Sequence, residues 1–325
     1  NYLGAGLLIF FRRTVYTIIT LCFLDTFFCL SYTKKNNFML GGMNMQYIDL
    51  HVHSTCSDGT FTPEQIVDLA VDKGLAAFAL TDHDTVAGVG RALTAARGKS
   101  LTVIPGVELS CEYTVTPSRK KEIHILGYQL DHENKVLIER LQEAADERDN
   151  RNKKMCENLH NDGYPISYEE LTARYPDTIL TRAHFARFLC EKGAVSSIDS
   201  AFRKILSDKG PYFVSRKYLT PEEGIELIKK AGGIPVLAHP LLYKFSVTEL
   251  HDLLNFLIPL GLKGIEAIYS RNHGNDEAFV RKLAQEHSLF ITGGSDFHGD
   301  NKPDIDLGCG TGKLRVPVML LENLK

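Results

Sequence analysis

Nine side chains able to ligate a metal stand at or near the ends of strand-like runs in this chain, and that placement restricts the fold more than any other feature. They are His51 and His53 in DLHVHS, Asp58 in SDG, His83 in TDHD, Glu108 in PGVE, His124 in EIHILGY, His239 in LAHP, and Asp296 and His298 in GGSDFH. Barrels of strands and helices gather their chemistry at the C-terminal ends of the strands. Repetition of His, Asp or Glu at that position, strand after strand, therefore predicts a multinuclear metal site at one rim.

From Gln46 onward the chain alternates between strand and helix signals. Strands are expected at Tyr47–His53, Ala76–Thr81, Leu101–Leu109, Glu122–Leu130, Ile234–Ala238, Gly264–Tyr269 and Leu289–Thr292. Thr62-Pro63-Glu64 and Thr220-Pro221-Glu222 each offer a helix cap, a proline in the first turn and an acid beside it, while Gly74 and Gly232 are placed to stop those helices. Such alternation points to an α/β class with a parallel sheet or barrel. Residues 131–218 break the rhythm: helices are expected at Lys135–His160, Tyr168–Tyr175, Thr181–Lys192 and Ser197–Ser207. We read them as a helical insertion capping a barrel formed by residues 46–130 and 219–325.

Residues 1–45 are apolar but interrupted by Arg12, Arg13 and Asp25, the last at a cost of a few kcal/mol in a bilayer. Met43 and Met45 stand just before the first strand, so this stretch reads as an extension upstream of the natural start. A membrane anchor and a cleaved targeting segment are the alternatives. The net charge of −3 argues against a dedicated duplex-DNA binder but leaves a small anionic substrate open, because metal ions bring their own positive charge. Seven cysteines without a CxxC pair suit a reducing, cytoplasmic setting. No obligate protein partner is implied.

On the first strand Asp49, His51 and His53 share one face, so two imidazoles can grip one ion while Asp49 braces a ring nitrogen. Asp82 is expected in a similar bracing role, and Asp82 and Asp84 could equally be turn residues. Glu108 lies in an apolar run where a lone carboxylate is costly, and a bridge between cations would offset that cost. Oxygen and imidazole ligands without thiolate favour Mn²⁺, with Fe²⁺ or Zn²⁺ as alternatives. Cys56 and Cys111 are read as bystanders. Gly308-Cys309-Gly310-Thr311-Gly312-Lys313 lacks the first glycine and the closing Ser/Thr of a phosphate loop and is read as a turn.

Taken in order, HVHSTCSDGT, LTDHDT, PGVELS, HILGY, LAHP and GGSDFH resemble the PHP (polymerase and histidinol phosphatase) phosphoesterases, over about Tyr47 to Leu321. The likeness is greatest to the branch containing nucleoside 3′,5′-bisphosphate phosphatases active on short RNA. It implies a distorted (β/α)₇ barrel, two or three divalent ions and a helical cap. It further implies that His51, His53, Glu108 and Asp296 hold a first ion and the attacking hydroxide. Asp58, His83 and His239 would hold a second ion, and Glu108, His124 and His298 a third. Arg182 and His184 would engage a substrate phosphate, with Lys209, Arg271 and His273 as further candidates. The expected activity is removal of the 3′-phosphate and 5′→3′ trimming of short RNA. A histidinol-phosphate phosphatase and a non-catalytic accessory module are the rival readings.

Overall fold

The computed structural model describes residues 46–325 apart from 177 and 208–209. The expectations for residues 1–45 and for Lys209 therefore lie outside the described residues. Eight strands form one sheet in the order β7-β6-β5-β4-β3-β2-β1-β8. They are β1 (Tyr47–Val52), β2 (Ala77–Leu80), β3 (Thr102–Thr116), β4 (Arg119–Tyr128), β5 (Ile234–Leu237), β6 (Gly264–Tyr269), β7 (Phe290–Gly294) and β8 (Val316–Pro317).

The sheet nearly closes on itself. The segment after β7 reaches β1, where Asp296 N–H donates to His51 O at 2.9 Å and His53 N–H to Phe297 O at 3.0 Å. Gly294 makes this approach possible: a Cβ there would stand 2.3 Å from His51 Cβ and 2.5 Å from the His51 nitrogen. The result is the expected distorted barrel, with two departures from an all-parallel sheet. β4 runs antiparallel to both β3 and β5, and β8 runs antiparallel to β1. The first follows from local chain geometry, because only Pro117 and Ser118 separate the paired Thr116 and Arg119, and so short a turn can only reverse the chain. β8 is too short to announce itself in the sequence.

Helices α1 (Pro63–Asp72), α2 (Val89–Ala95), α7 (Pro221–Lys230), α8 (Val247–Leu260) and α9 (Asp276–Glu286) cover the sheet. Thr62 and Thr220 form capping boxes with Gln65 and Glu223, so the two sequence-level helix starts are realised. α7 buries Ile225, Leu227 and Ile228 among Leu109, Ile123, Ile125 and Leu237.

Between β4 and β5 lie α3 (Lys135–Asn161), α4 (Tyr168–Arg174), α5 (Arg182–Glu191) and α6 (Ile198–Lys204). They enclose a separate core of Met155, Leu159, Phe185, Leu189 and Ile205, whereas Leu137 and Leu141 at the base of α3 belong to the barrel core. The insertion thus has its own apolar interior and one long helix rooted in the barrel. It also docks by backbone and side-chain bonds: Ile179 N–H donates to Cys56 O at 3.1 Å, and Thr181 Oγ1 donates to Asp58 Oδ2 at 3.2 Å.

Candidate metal centre

All nine ligand candidates fall into one cluster of overlapping groups, with Glu108 at its hub. Strand alternation brings His51 and His53 out on the same face of β1, and their Nε2 atoms each lie 3.2 Å from Glu108 Oε2. His83, just beyond β2, brings Nδ1 to 3.1 Å from the same oxygen. The other oxygen, Oε1, lies 2.8 Å from His124 Nδ1 and 2.9 Å from His239 Nε2. Asp296 Oδ1 stands 3.7 Å from His51 Nε2 and 3.5 Å from His53 Nε2, and Asp58 Oδ1 stands 3.2 Å from His298 Nε2.

The nine side chains fall into overlapping groups. His298 sits with His53, Asp58 and His83, and His239 sits with His51 and Glu108. The reason is topological. His239 ends β5, beside β4 and its His124, whereas His298 follows β7 and turns back over β1 toward the Asp58 loop.

The donor set fits divalent cations. His53 is fully buried, and neither of its ring nitrogens has a hydrogen-bond partner. A neutral imidazole carries only one ring proton, so at least one lone pair points into the pocket unmet. His51 Nε2, His83 Nδ1, Asp58 Oδ1 and Glu108 Oε2 are likewise buried and unpartnered. So many orphaned atoms at one place are costly unless a cation meets them. Burial opposes ionisation of Glu108, yet the imidazoles of His51, His83 and His124 hold its carboxyl well below the usual range. Asp58 and Asp296 are ionised against the same burial penalty, Asp58 by His298 and His83, Asp296 by Lys302 and His298. The carboxylates are therefore in their ligating form.

Supporting groups fix these ligands, not always in the expected way. Asp49 does not touch an imidazole ring. It accepts from the backbone N–H of His51 (3.2 Å), Ser295 (2.8 Å) and Gly308 (2.8 Å), and burial pushes its carboxyl up to about 6. It thus ties β1 to the loops after β7, and the glycine-rich segment is the expected turn. Asp82 accepts from Ser54 N–H (2.7 Å) and Ser57 Oγ (2.6 Å), bracing the loop that carries Asp58. The ring of His51 is held by Glu266, which the sequence reading passed over. Its Oε1 lies 3.0 Å from His51 Nδ1, and its Oε2 accepts His239 N–H at 2.8 Å. Glu266 was detectable by the argument applied to Glu108, since it is an acid alone in the apolar run GIEAIY. Tyr269 OH and Lys302 Nζ both reach Asp296 Oδ2, at 2.7 and 2.6 Å. Cys56 and Cys111 are buried and stand outside the ligand groups.

A pocket beside the candidate ligands Asp58, His83 and His124 is roofed by arginines: Arg148 and Arg151 from α3, Arg182 at the start of α5, and Arg216 with Tyr218 on the return toward the barrel. Arg182 was expected here. Its Nη1 donates to Leu206 O at 3.2 Å and its Nη2 lies 3.7 Å from Glu122 Oε2. Arg151 is buried with Nε and Nη2 unpartnered, and burial together with Arg148 and Arg216 lowers its guanidinium to about 9.

The other expected substrate contacts are placed elsewhere. His184 Nδ1 accepts Thr181 N–H at 3.0 Å, closing the capping box of α5, and its ring lines a different cleft with Tyr175 and Arg187. Arg271 is paired with Asp304 at the surface, and His273 lies in a third cleft beside Lys313. A helix-start motif on paper does not reveal which side chain closes the cap and which reaches the pocket.

Residues 49–220 match the PHP domain family. The chain is 35% identical to the 5′-3′ exoribonuclease Rnm of Escherichia coli, over 80% of this chain and 87% of that protein. It is 33% identical to a 3′,5′-nucleoside bisphosphate phosphatase of Chromobacterium violaceum, over 81% of this chain and 91% of the relative. Among solved structures, one from Bifidobacterium adolescentis, described as a metal-dependent phosphoesterase, superposes with a TM-score of 0.75 at 29% identity. That superposition covers 86% of this chain and 95% of that one.

Proposed function

Because the chain belongs to the PHP-domain family of metal-dependent phosphoesterases, we propose that it hydrolyses the P–O3′ bond of nucleotides that carry a 5′-phosphate. Removal of the 3′-phosphate from a nucleoside 3′,5′-bisphosphate breaks that bond. Release of the first nucleotide from a short 5′-phosphorylated RNA breaks the same bond. The two relatives' activities, phosphatase and 5′-3′ exoribonuclease, therefore reduce to one reaction on one kind of substrate.

The observation that carries this reading is the arginine roof. Arg148, Arg151, Arg182 and Arg216 line the pocket against the carboxylates of Glu122 and Asp58 and the nearby Asp84. A simple phosphomonoester, whose single phosphate would sit on the metal ligands, leaves such a roof without a purpose. A substrate with a second phosphate satisfies it, since guanidinium forks match phosphate oxygens. The cavity between roof and ligands is about 180 Å³, room for a phosphate and sugar but not for a duplex.

His51, His53, Asp58, His83, Glu108, His124, His239, Asp296 and His298 would hold the ions, Mn²⁺ by preference and Fe²⁺ or Zn²⁺ as alternatives. Bound cations supply Lewis acidity, making a water acidic near neutral pH and neutralising phosphoryl oxygens. The protein's part is positioning. The roof orients the 5′-phosphate so that the 3′-linked phosphorus lies over Glu108, and the insertion shields the reacting bond from bulk water.

The test is a substrate panel with the Mn²⁺-loaded chain: adenosine 3′,5′-bisphosphate, histidinol phosphate and a short 5′-phosphorylated RNA. AMP and phosphate as products of the first, and 5′-mononucleotides from the third, are expected. Turnover of histidinol phosphate alone would overturn the substrate assignment.

A further inference from the structure

We propose that Asp84 is a positioning residue that couples the arginine roof to the metal centre, an inference that rests on the substrate reading above. Asp84 follows the ligand His83 and is 1% exposed, in the left-handed region at φ +53°. It caps no helix, because α2 starts at Val89 after Gly88 and has no side-chain cap. A simple turn role leaves its contacts unexplained.

Those contacts reach in two directions. Toward the metal centre, Asp84 N–H donates to Glu108 O at 2.9 Å, and Asp84 Oδ1 accepts Ser110 N–H at 2.8 Å. Both partners belong to β3, which carries the hub carboxylate. Toward the insertion, Oδ2 accepts from Arg148 Nη2 and lies 3.4 Å from Arg216 Nη2. These guanidiniums come from separate pieces of the insertion, the middle of α3 and the segment returning to the barrel. One buried side chain thereby fastens two roof arginines to the strand beneath them. A single carboxylate facing two guanidiniums orients both of them at the pocket wall, where Glu122 lies as well.

The experiment compares wild type with Asp84→Asn, which keeps an acceptor for Ser110 but removes the charge. For each protein the ratio of kcat/KM on adenosine 3′,5′-bisphosphate to that on p-nitrophenyl phosphate is measured, together with inhibition of the second reaction by AMP. The ratio should fall by about tenfold or more, mainly through KM, AMP inhibition should weaken comparably, and Asp84→Glu should recover part of both. Arg216→Gln should shift both in the same direction, which serves if Asp84→Asn fails to fold.

An unchanged ratio with unchanged AMP inhibition overturns the role. So does an equal fall on both substrates accompanied by lost metal, which would place Asp84 with Glu108 alone. A wild type inert toward the bisphosphate but inhibited by AMP in an Asp84-dependent way would refute the substrate reading and leave this one standing.

Discussion

Glu266 Oε1 stands 3.0 Å from His51 Nδ1, and the other oxygen of the same carboxylate accepts His239 N–H at 2.8 Å. One fully buried acid from β6 therefore sets the ring orientation of one candidate metal ligand and the backbone position of another. A carboxylate behind a ligating imidazole fixes its tautomer and strengthens it as a donor. In Glu266→Gln only one acceptor oxygen remains for two donors. Metal affinity should fall by about 10–100-fold with the fold retained, as measured by competition with a chromophoric chelator. Unaltered affinity would show that the pair is merely structural.

Arg151 sets function against stability. A buried guanidinium with unpartnered nitrogens destabilises the folded state, and an apolar side chain of similar length removes that cost. Arg151→Met is expected to raise stability by about 1 kcal/mol, read from the urea midpoint. The same change should raise KM for adenosine 3′,5′-bisphosphate by about tenfold or more. A less stable variant with unaltered KM would contradict the assignment of Arg151 to the substrate's second phosphate.

His184 gives a pH dependence with a definite sign. Burial lowers its imidazole from 6.5 to about 4, and its Nδ1 is committed to Thr181 N–H. The folded state keeps it neutral while the unfolded chain takes up a proton below about pH 6.5. Its contribution is therefore complete above that pH and is lost as pH falls toward 4. The span corresponds to about 3 kcal/mol. In His184→Gln, which keeps an acceptor for the cap, the difference in stability between pH 7.5 and pH 5 should shrink. If the slope is the same in both proteins, His184 is not the group responsible.

The clustering of the nine candidate ligands was legible because residues of the right chemistry recur at the ends of apolar runs, and the barrel because those runs alternate with capped helices. Strand ends came within a few residues except at β3 and β4, whose long hairpin extends beyond the apolar stretch into Tyr113–Thr116 and Arg119–Lys121. Arg148 and Arg151 were not legible. In the sequence they sit on a long charged helix and look like part of a solvated face, and only the docking of α3 over the rim buries them. The same docking separates Arg182 from His184, two residues apart on one helix start, and sends them to different clefts. Asp84 could be read as a turn residue, since its two arginine partners lie 64 and 132 positions away.

The most direct test of the central claim is a paired titration. The full chain is stripped with a chelator, Mn²⁺ is added stepwise, and bound ions per chain are measured alongside phosphate release from adenosine 3′,5′-bisphosphate, for wild type and Glu108→Ala. In wild type, activity should be absent without metal and rise as a second or third ion binds. Glu108→Ala should bind fewer ions and stay inactive, because both hub oxygens are gone. Full activity in the stripped wild type, or full stoichiometry and turnover in Glu108→Ala, would contradict a metal centre organised around Glu108.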